Sequence, residues 1–162
     1  MFSASACSGS SGKDYAVPKA VCGVPVEPDL LSPLLPDGKK LTEQKYGFGA
    51  TQPRCRLKVD GDLAVYFSGD VVPASTDVMA VNERGMLRLG RPATADIGRG
   101  ARIADLGALA VDKCVYGGKQ QQFVANIELQ QQAPKDVQKR RDALRALLKA
   151  YLPAAKKDVG CG

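Results

Sequence analysis

Cys55-Arg56-Leu57-Lys58-Val59-Asp60-Gly61-Asp62-Leu63-Ala64-Val65-Tyr66-Phe67 is the stretch that decides the fold. Cys55, Leu57 and Val59 alternate with Arg56 and Lys58, the period of two that gives a strand one apolar and one polar face. Asp60-Gly61 tolerates the positive φ angles of a tight turn, and Leu63 to Phe67 is β-rich again. The stretch reads as an antiparallel hairpin. A second hairpin is expected from Ala108–Val115 and Phe123–Leu129, turning at Gly117-Gly118. In its latter strand Phe123, Ala125, Ile127 and Leu129 alternate with Val124, Asn126 and Glu128.

Around these hairpins the periodicity changes. From Asp136 to Leu152 the residues Val137, Leu144, Leu147, Leu148 and Tyr151 line one face of an amphipathic helix. Pro134 marks its approach and Pro153 its expected end. Pro28 to Leu35 reads as a short helix cut by Pro33 or Pro36. Residues 78–81 and 86–89 read as two further short strands, and 90–107 as a long irregular connection. The order helix, strands, helix predicts an α+β fold: an antiparallel sheet of hairpins covered on one face by helices. Residues 21–162 form the expected single domain, long enough for a hydrophobic core without metals.

Four cysteines fall in that domain, Cys22, Cys55, Cys114 and Cys161, and allow three pairings. If the first helix runs back across the sheet, Cys22 comes near Cys55. If the last helix runs antiparallel to the strand at 123–129, Cys161 comes near Cys114. Cys22–Cys55 with Cys114–Cys161 is therefore preferred, and Cys22–Cys161 with Cys55–Cys114 is the main rival. Four reduced cysteines are the bland alternative. A structural zinc site is disfavoured because no Cys-x2-Cys pair exists.

The fifth cysteine stands apart. Cys7 follows Ala4-Ser5-Ala6 and precedes Ser8-Gly9-Ser10-Ser11-Gly12. Small residues before the cysteine and a flexible Ser/Gly segment after it fit an acylated cysteine with its tether, expected to be disordered over residues 1–20; a plain thiol in a disordered leader is the bland alternative. Ala4 stands where a lipobox usually has Leu. Only Met1-Phe2-Ser3 precedes the box, whereas a signal peptide needs an apolar stretch of about 7 to 15 residues. A longer natural precursor is the expectation.

Val21-Cys22-Gly23-Val24-Pro25-Val26-Glu27-Pro28, Leu34-Leu35-Pro36, Cys55-Arg56-Leu57, Cys114, Ala150-Tyr151-Leu152-Pro153 and Val159-Gly160-Cys161 together resemble small Streptomyces-type lipoproteins of actinobacteria. The chain is similar over about residues 20–161 to actinobacterial lipoprotein domains of unknown function. The resemblance implies export, lipid anchoring at the outer face of the cytoplasmic membrane and structural disulfides. It implies no catalytic residues.

Composition narrows the chemistry. The chain has no histidine, which removes the usual general base and the Ser-His and Cys-His pairs. An acid pair remains conceivable, with Asp60, Asp62 and Asp70 as candidates by proximity, although Asp60 suits the turn. Gly98-Arg99-Gly100 lacks the context of a phosphate cradle. The net charge of +6 fits an anionic envelope component or lipid surface, or simply a solvated basic surface. No dense basic stripe with interleaved aromatics exists, so no nucleic-acid partner is expected. Arg84, Arg88, Arg91, Arg99 and Arg102 are the candidate binding group, set in loop-rich sequence with few acids nearby; a solvated face is the bland account. Tyr46 and Phe48 can rim a groove or pack at an edge strand. Gln120–Gln122 and Gln130–Gln132 read as polar loop ends.

The expectation is a non-enzymatic, lipid-anchored envelope domain that binds a protein or an anionic envelope component, with no cofactor and no metal. A carrier of a small or lipidic ligand in a sheet–helix pocket, and a hydrolase using carboxylates alone, are the alternatives.

Overall fold

Two hairpins become one sheet because their inner strands pair. The structure, a computed structural model, describes residues 12–162. Cys7 lies outside the described residues. The first meander is β3 (Leu41–Gly47), β4 (Pro53–Val59) and β5 (Asp62–Pro73), preceded by a small hairpin of β1 (Ala20–Val21) and β2 (Val24–Pro25). The second is β6 (Ala93–Ala95), β7 (Gly100–Ile103), β8 (Gly107–Tyr116) and β9 (Lys119–Leu129). β9 returns beside β5, giving seven strands in the order β3-β4-β5-β9-β8-β7-β6, every neighbouring pair antiparallel.

The turns follow from local chemistry. Asp60-Gly61 joins β4 to β5 with φ of 52° and 89°, and Gly117-Gly118 joins β8 to β9 with φ of 57° and 75°. Two consecutive positive φ values twist a two-residue loop in the hand that matches the flanking strands. Asp60 adds a second function, accepting from the backbone N–H groups of Lys39 and Lys40.

The inner face of the sheet is apolar. Cys55, Leu57 and Val59 of β4, Val65 and Phe67 of β5, Phe123, Ala125, Ile127 and Leu129 of β9 and Ala108 and Ala110 of β8 are buried together. Helix α1 (Pro28–Leu31), with the 3-10 turn Ser32–Leu34 that follows it, and helix α3 (Val137–Val159) cover this face. Leu144, Leu147, Leu148, Tyr151, Leu152 and Ala155 of α3 are buried against it, and the Tyr151 ring meets Phe67 with centroids 5.1 Å apart. Burial of one leucine side chain contributes about 1.5–3 kcal/mol.

Both preferred disulfides are present: Cys22–Cys55 with Cα atoms 5.9 Å apart, and Cys114–Cys161 with 4.9 Å. The rival pairing fails on geometry. β5 and β9 separate β4 from β8, so Cys55 and Cys114 stand at least three strand spacings, roughly 14 Å, apart, and the register offsets them further along the strands. A disulfide spans at most about 7 Å between Cα atoms.

Several expectations are corrected. Residues 78–89 are not two strands but helix α2 (Val78–Arg88), capped by Asp77, whose carboxylate accepts from the Ala80 N–H. Val78 and Met86, two turns apart, form a second core with Leu109, Val111 and Val124. α2 therefore lies on the opposite face of the sheet from α1 and α3. The connection 90–107 is not irregular: it contains β6 and β7, with Ala101 and Ile103 buried in alternation. Helix α3 does not stop at Pro153 but continues to Val159. Pro153 is exposed, and Leu152 and Ala155 on either side of it are buried, so packing holds the helix through the missing hydrogen bond. The helix ends at Gly160, whose φ of 98° lets the Cys161 N–H reach the Lys156 carbonyl. Residues 12–20 are not free tether either. Lys13 bridges to Gly38, the Tyr15 hydroxyl donates to the Pro36 carbonyl, and Tyr15 and Val17 pack on the core.

Leu147→Ala should lower the unfolding free energy by about 2–5 kcal/mol, whereas Arg145→Ala on the exposed side of α3 should stay within about 0.5 kcal/mol. Urea denaturation of both variants measures the difference.

Candidate functional site

The outer face of the sheet is only half covered. α2 lies over Leu109 and Val111 of β8 and Val124 of β9. Beyond it, β3, β4, β5 and the end of β9 present polar side chains. Cross-strand register sets them in rows, because paired residues share a face. One row runs Gln44, Arg56, Tyr66, Glu128, and the next runs Tyr46, Arg54, Ser68, Asn126.

The two arginines of these rows differ. Arg54 is neutralised: it donates to the Asp70 carboxylate at 2.9 Å and to the Gly69 carbonyl at 2.7 Å. Its guanidinium also lies 5.6 Å from the centroid of Phe48, which is 74% exposed. Arg56 makes no ion pair among the described residues. Its guanidinium stands 4.2 Å over the Tyr46 ring, a cation–π contact that does not consume its donors. Tyr46 and Tyr66 are neighbours, with ring centroids 6.4 Å apart. Burial, then the Tyr46 hydroxyl, pushes the Tyr66 phenol up to about 12, so it remains a neutral donor at physiological pH. Below them Ser68 is buried, the Asn126 amide donates to Glu128 at 3.0 Å, and the buried Asn126 Oδ1 has no partner among the described residues. The arrangement offers one planar cation without a carboxylate partner among the described residues, beside two neighbouring tyrosine rings. A guanidinium with free donors can pair with carboxylates or phosphates, and no nucleophile–base pair stands beside it among the described residues.

The arginines singled out from sequence do not form one site. Arg84 and Arg88 are exposed on α2, and Arg99 is exposed in the β6–β7 turn. Arg102 lies beside α2, donating to the Ala101 carbonyl. Arg91 is structural: its Nε and Nη2 donate to Asp105 at 2.9 and 3.2 Å. Arg141 of α3 reaches the same carboxylate at 2.8 Å, and buried Arg140 donates to the Asp105 carbonyl. Together they clamp the start of α3 to the β7–β8 connection.

The acids do not converge. Asp60 serves the turn, Asp62 is exposed beside it, and Asp70, at the other end of β5, pairs with Arg54. The sulfurs of Cys22 and Cys55 lie with Glu43 at metal-ligand spacing, but both are spent in a disulfide. Gln122 fixes the approach to α2, donating to the Thr76 carbonyl at 2.8 Å. Gln131 and Gln132 line an open groove of about 650 Å³ with Pro36 and Pro134. The space between the sheet and α3, beside Cys22–Cys55, measures about 20 Å³, room for about one water.

Sequence reasoning singled out Tyr46 and missed Arg54, Arg56, Tyr66, Ser68, Asn126 and Glu128 as a group. The available signal was the alternation itself: each is the polar alternate of a buried residue. Among the described residues no helix is long and apolar enough to cross a membrane, and the two disulfides are compatible with an extracellular location. Comparison with protein-family models, curated proteins and solved structures finds no match for this chain.

The Arg91 hydrogen bond, outweighing the opposing effect of burial, and then Arg141 hold the Asp105 carboxyl below the ordinary carboxylate range. A lowered folded-state value means that this contribution to stability is present above the unfolded carboxylate range and lost as pH falls through the folded value. Asp105→Asn should therefore flatten the acid side of the stability–pH curve, measured by urea denaturation between about pH 2 and pH 7.

Proposed function

We propose that this chain is a non-enzymatic, lipid-anchored binding domain held at the outer face of an actinobacterial cytoplasmic membrane, and that it binds through the free half of its outer sheet face. The observation that carries the reading is Arg56, stacked on Tyr46, without a carboxylate partner among the described residues, and paired across the strands with Tyr66. An arginine pre-set on an aromatic ring loses little rotamer freedom when an anion arrives. The partner that fits is an anionic envelope component, or an acidic patch on an envelope protein.

Three further features support the compartment and the anchor. Two disulfides suit an oxidising environment. The Ala4-Ser5-Ala6-Cys7 box with its Ser/Gly continuation suits acylation and a tether. The resemblance to small actinobacterial lipoproteins agrees with both. The alternatives fit less well. A carrier needs an enclosing pocket of about 300 Å³ or more; the enclosed space between the sheet and α3 is about 20 Å³, and the larger clefts, beside Gln131 and beside α2, are open to solvent. A carboxylate hydrolase needs two converging acids, and Asp60 and Asp70 are engaged at opposite ends of β5.

The test uses the chain behind a working signal sequence in an actinobacterial host. The wild type should fractionate with membranes, and Cys7→Ala should release it to the medium. The released protein should co-sediment with purified cell walls at about 0.15 M salt, and Arg56→Ala should reduce the bound fraction several-fold. Membrane retention of Cys7→Ala contradicts the anchor, and an Arg56→Ala variant that binds like the wild type contradicts the face.

A further inference from the structure

One edge of the sheet is left open among the described residues. β3 is an outer strand of seven residues, and among the described residues only β4 pairs with it. Its even-numbered backbone groups face β4: the Lys40 carbonyl accepts from Asp60, and the Phe48 N–H donates to Gln52. The alternation of an antiparallel ladder therefore turns the N–H and C=O groups of Leu41, Glu43, Lys45 and Gly47 outward. Apart from half-buried Leu41 and Tyr46, the side chains of the strand are exposed.

We propose that β3 is a homodimerisation edge that pairs antiparallel with β3 of a second copy about a two-fold axis through Gln44. In this register Glu43 of each copy faces Lys45 of the other, twice, because the axis repeats the contact. Thr42 faces Tyr46, and Leu41 faces Gly47. All four outward-facing residues then pair, which forms about eight backbone hydrogen bonds. Registers that slip by two residues, the smallest shift that keeps like faces together, lose this match. One sets Glu43 on Glu43, and the other sets Lys45 on Lys45. The charges thus select one register and one occupant, since a chance partner would not carry the same inverted pair.

Two features that commonly block an edge are missing from the strand, and its inward-pointing charges, Glu43 and Lys45, are the ones this register matches. It has no proline and no bulge against β4, and its two charges are of opposite sign. The exposed Phe48 falls opposite Lys40 of the second copy, a cation beside a ring. Pairing would make one continuous fourteen-stranded sheet with the two polar faces on the same side. Each Tyr46 would then border the other copy's β3, so the binding surface crosses the axis. The dimer does not depend on the anchored-binding reading: each copy carries a complete face, and a monomer would leave that reading intact.

Sedimentation velocity decides the matter, on the disulfide-bonded full chain carrying Cys7→Ser so that a lone thiol cannot cross-link. From about 1 to about 500 µM the chain should pass from monomer to dimer. Glu43→Lys and Lys45→Glu, both at exposed positions, should each weaken the dimer roughly tenfold or more, and the double exchange E43K/K45E should restore it. Gln44→Cys should cross-link to itself under mild oxidation, because the axis places residue 44 on its own copy. A monomer throughout the range, a dimer indifferent to both single reversals, or a double exchange no better than the singles overturns the proposal.

Discussion

The pairing of β5 with β9 is the contact on which the rest of the molecule depends. It runs in register from Val65 opposite Leu129 to Pro73 opposite Gln121 and joins two meanders that are distant in sequence. Close approach is built into it at Gly69, where a Cβ would stand 2.8 Å from Cζ of Phe123. The ring occupies the space that a side chain would take, so a larger residue there would displace Phe123 from the inner face. The same pairing makes the inner face continuous from β4 to β7, wide enough to seat a helix of 23 residues.

The division of the two faces follows. The inner face is apolar where α3 packs on it, apart from Asp112, whose carboxylate takes Lys156 of the helix. The outer face is apolar only where Leu109, Val111 and Val124 lie side by side, and α2 covers that part. The remaining strands carry Arg54, Arg56, Tyr66 and Ser68, which offer a helix nothing to bury. The free surface is thus a consequence of where the apolar alternation stops. Ionic contacts elsewhere are confined to fixing ends. The Asp105 clamp holds the start of α3, and Lys156 on Asp112 holds its last turns at 3.1 Å.

Sequence reasoning recovered what is encoded locally. Both hairpins were legible because Asp60-Gly61 and Gly117-Gly118 permit positive φ and the flanking residues alternate. α3 was legible because five of its residues repeat at helical spacing, and the preferred disulfides followed from how the first and last helices must cross the sheet. α2 was missed because Val78-Met79-Ala80-Val81 and Met86-Leu87-Arg88-Leu89 are short apolar runs that suit either structure. Asp77 as a cap was the discriminating residue. Pro153 misled because its cost to a helix is local, whereas Tyr151, Leu152 and Ala155 hold the helix through tertiary packing. The arginine group failed as a site for a related reason. Proximity in sequence put Arg91 with Arg84 and Arg88, while folding gave Arg91 to Asp105. Arg56, Tyr66 and Asn126 come together only through cross-strand register, which no local window contains.

Peptide mapping of the oxidised protein under non-reducing conditions tests the sheet order most directly. With β5 and β9 between them, Cys55 and Cys114 cannot meet, so the account predicts two linked species, Cys22 with Cys55 and Cys114 with Cys161. A peptide pair joining Cys55 to Cys114 would contradict the β5–β9 pairing, and with it the free face that the pairing creates.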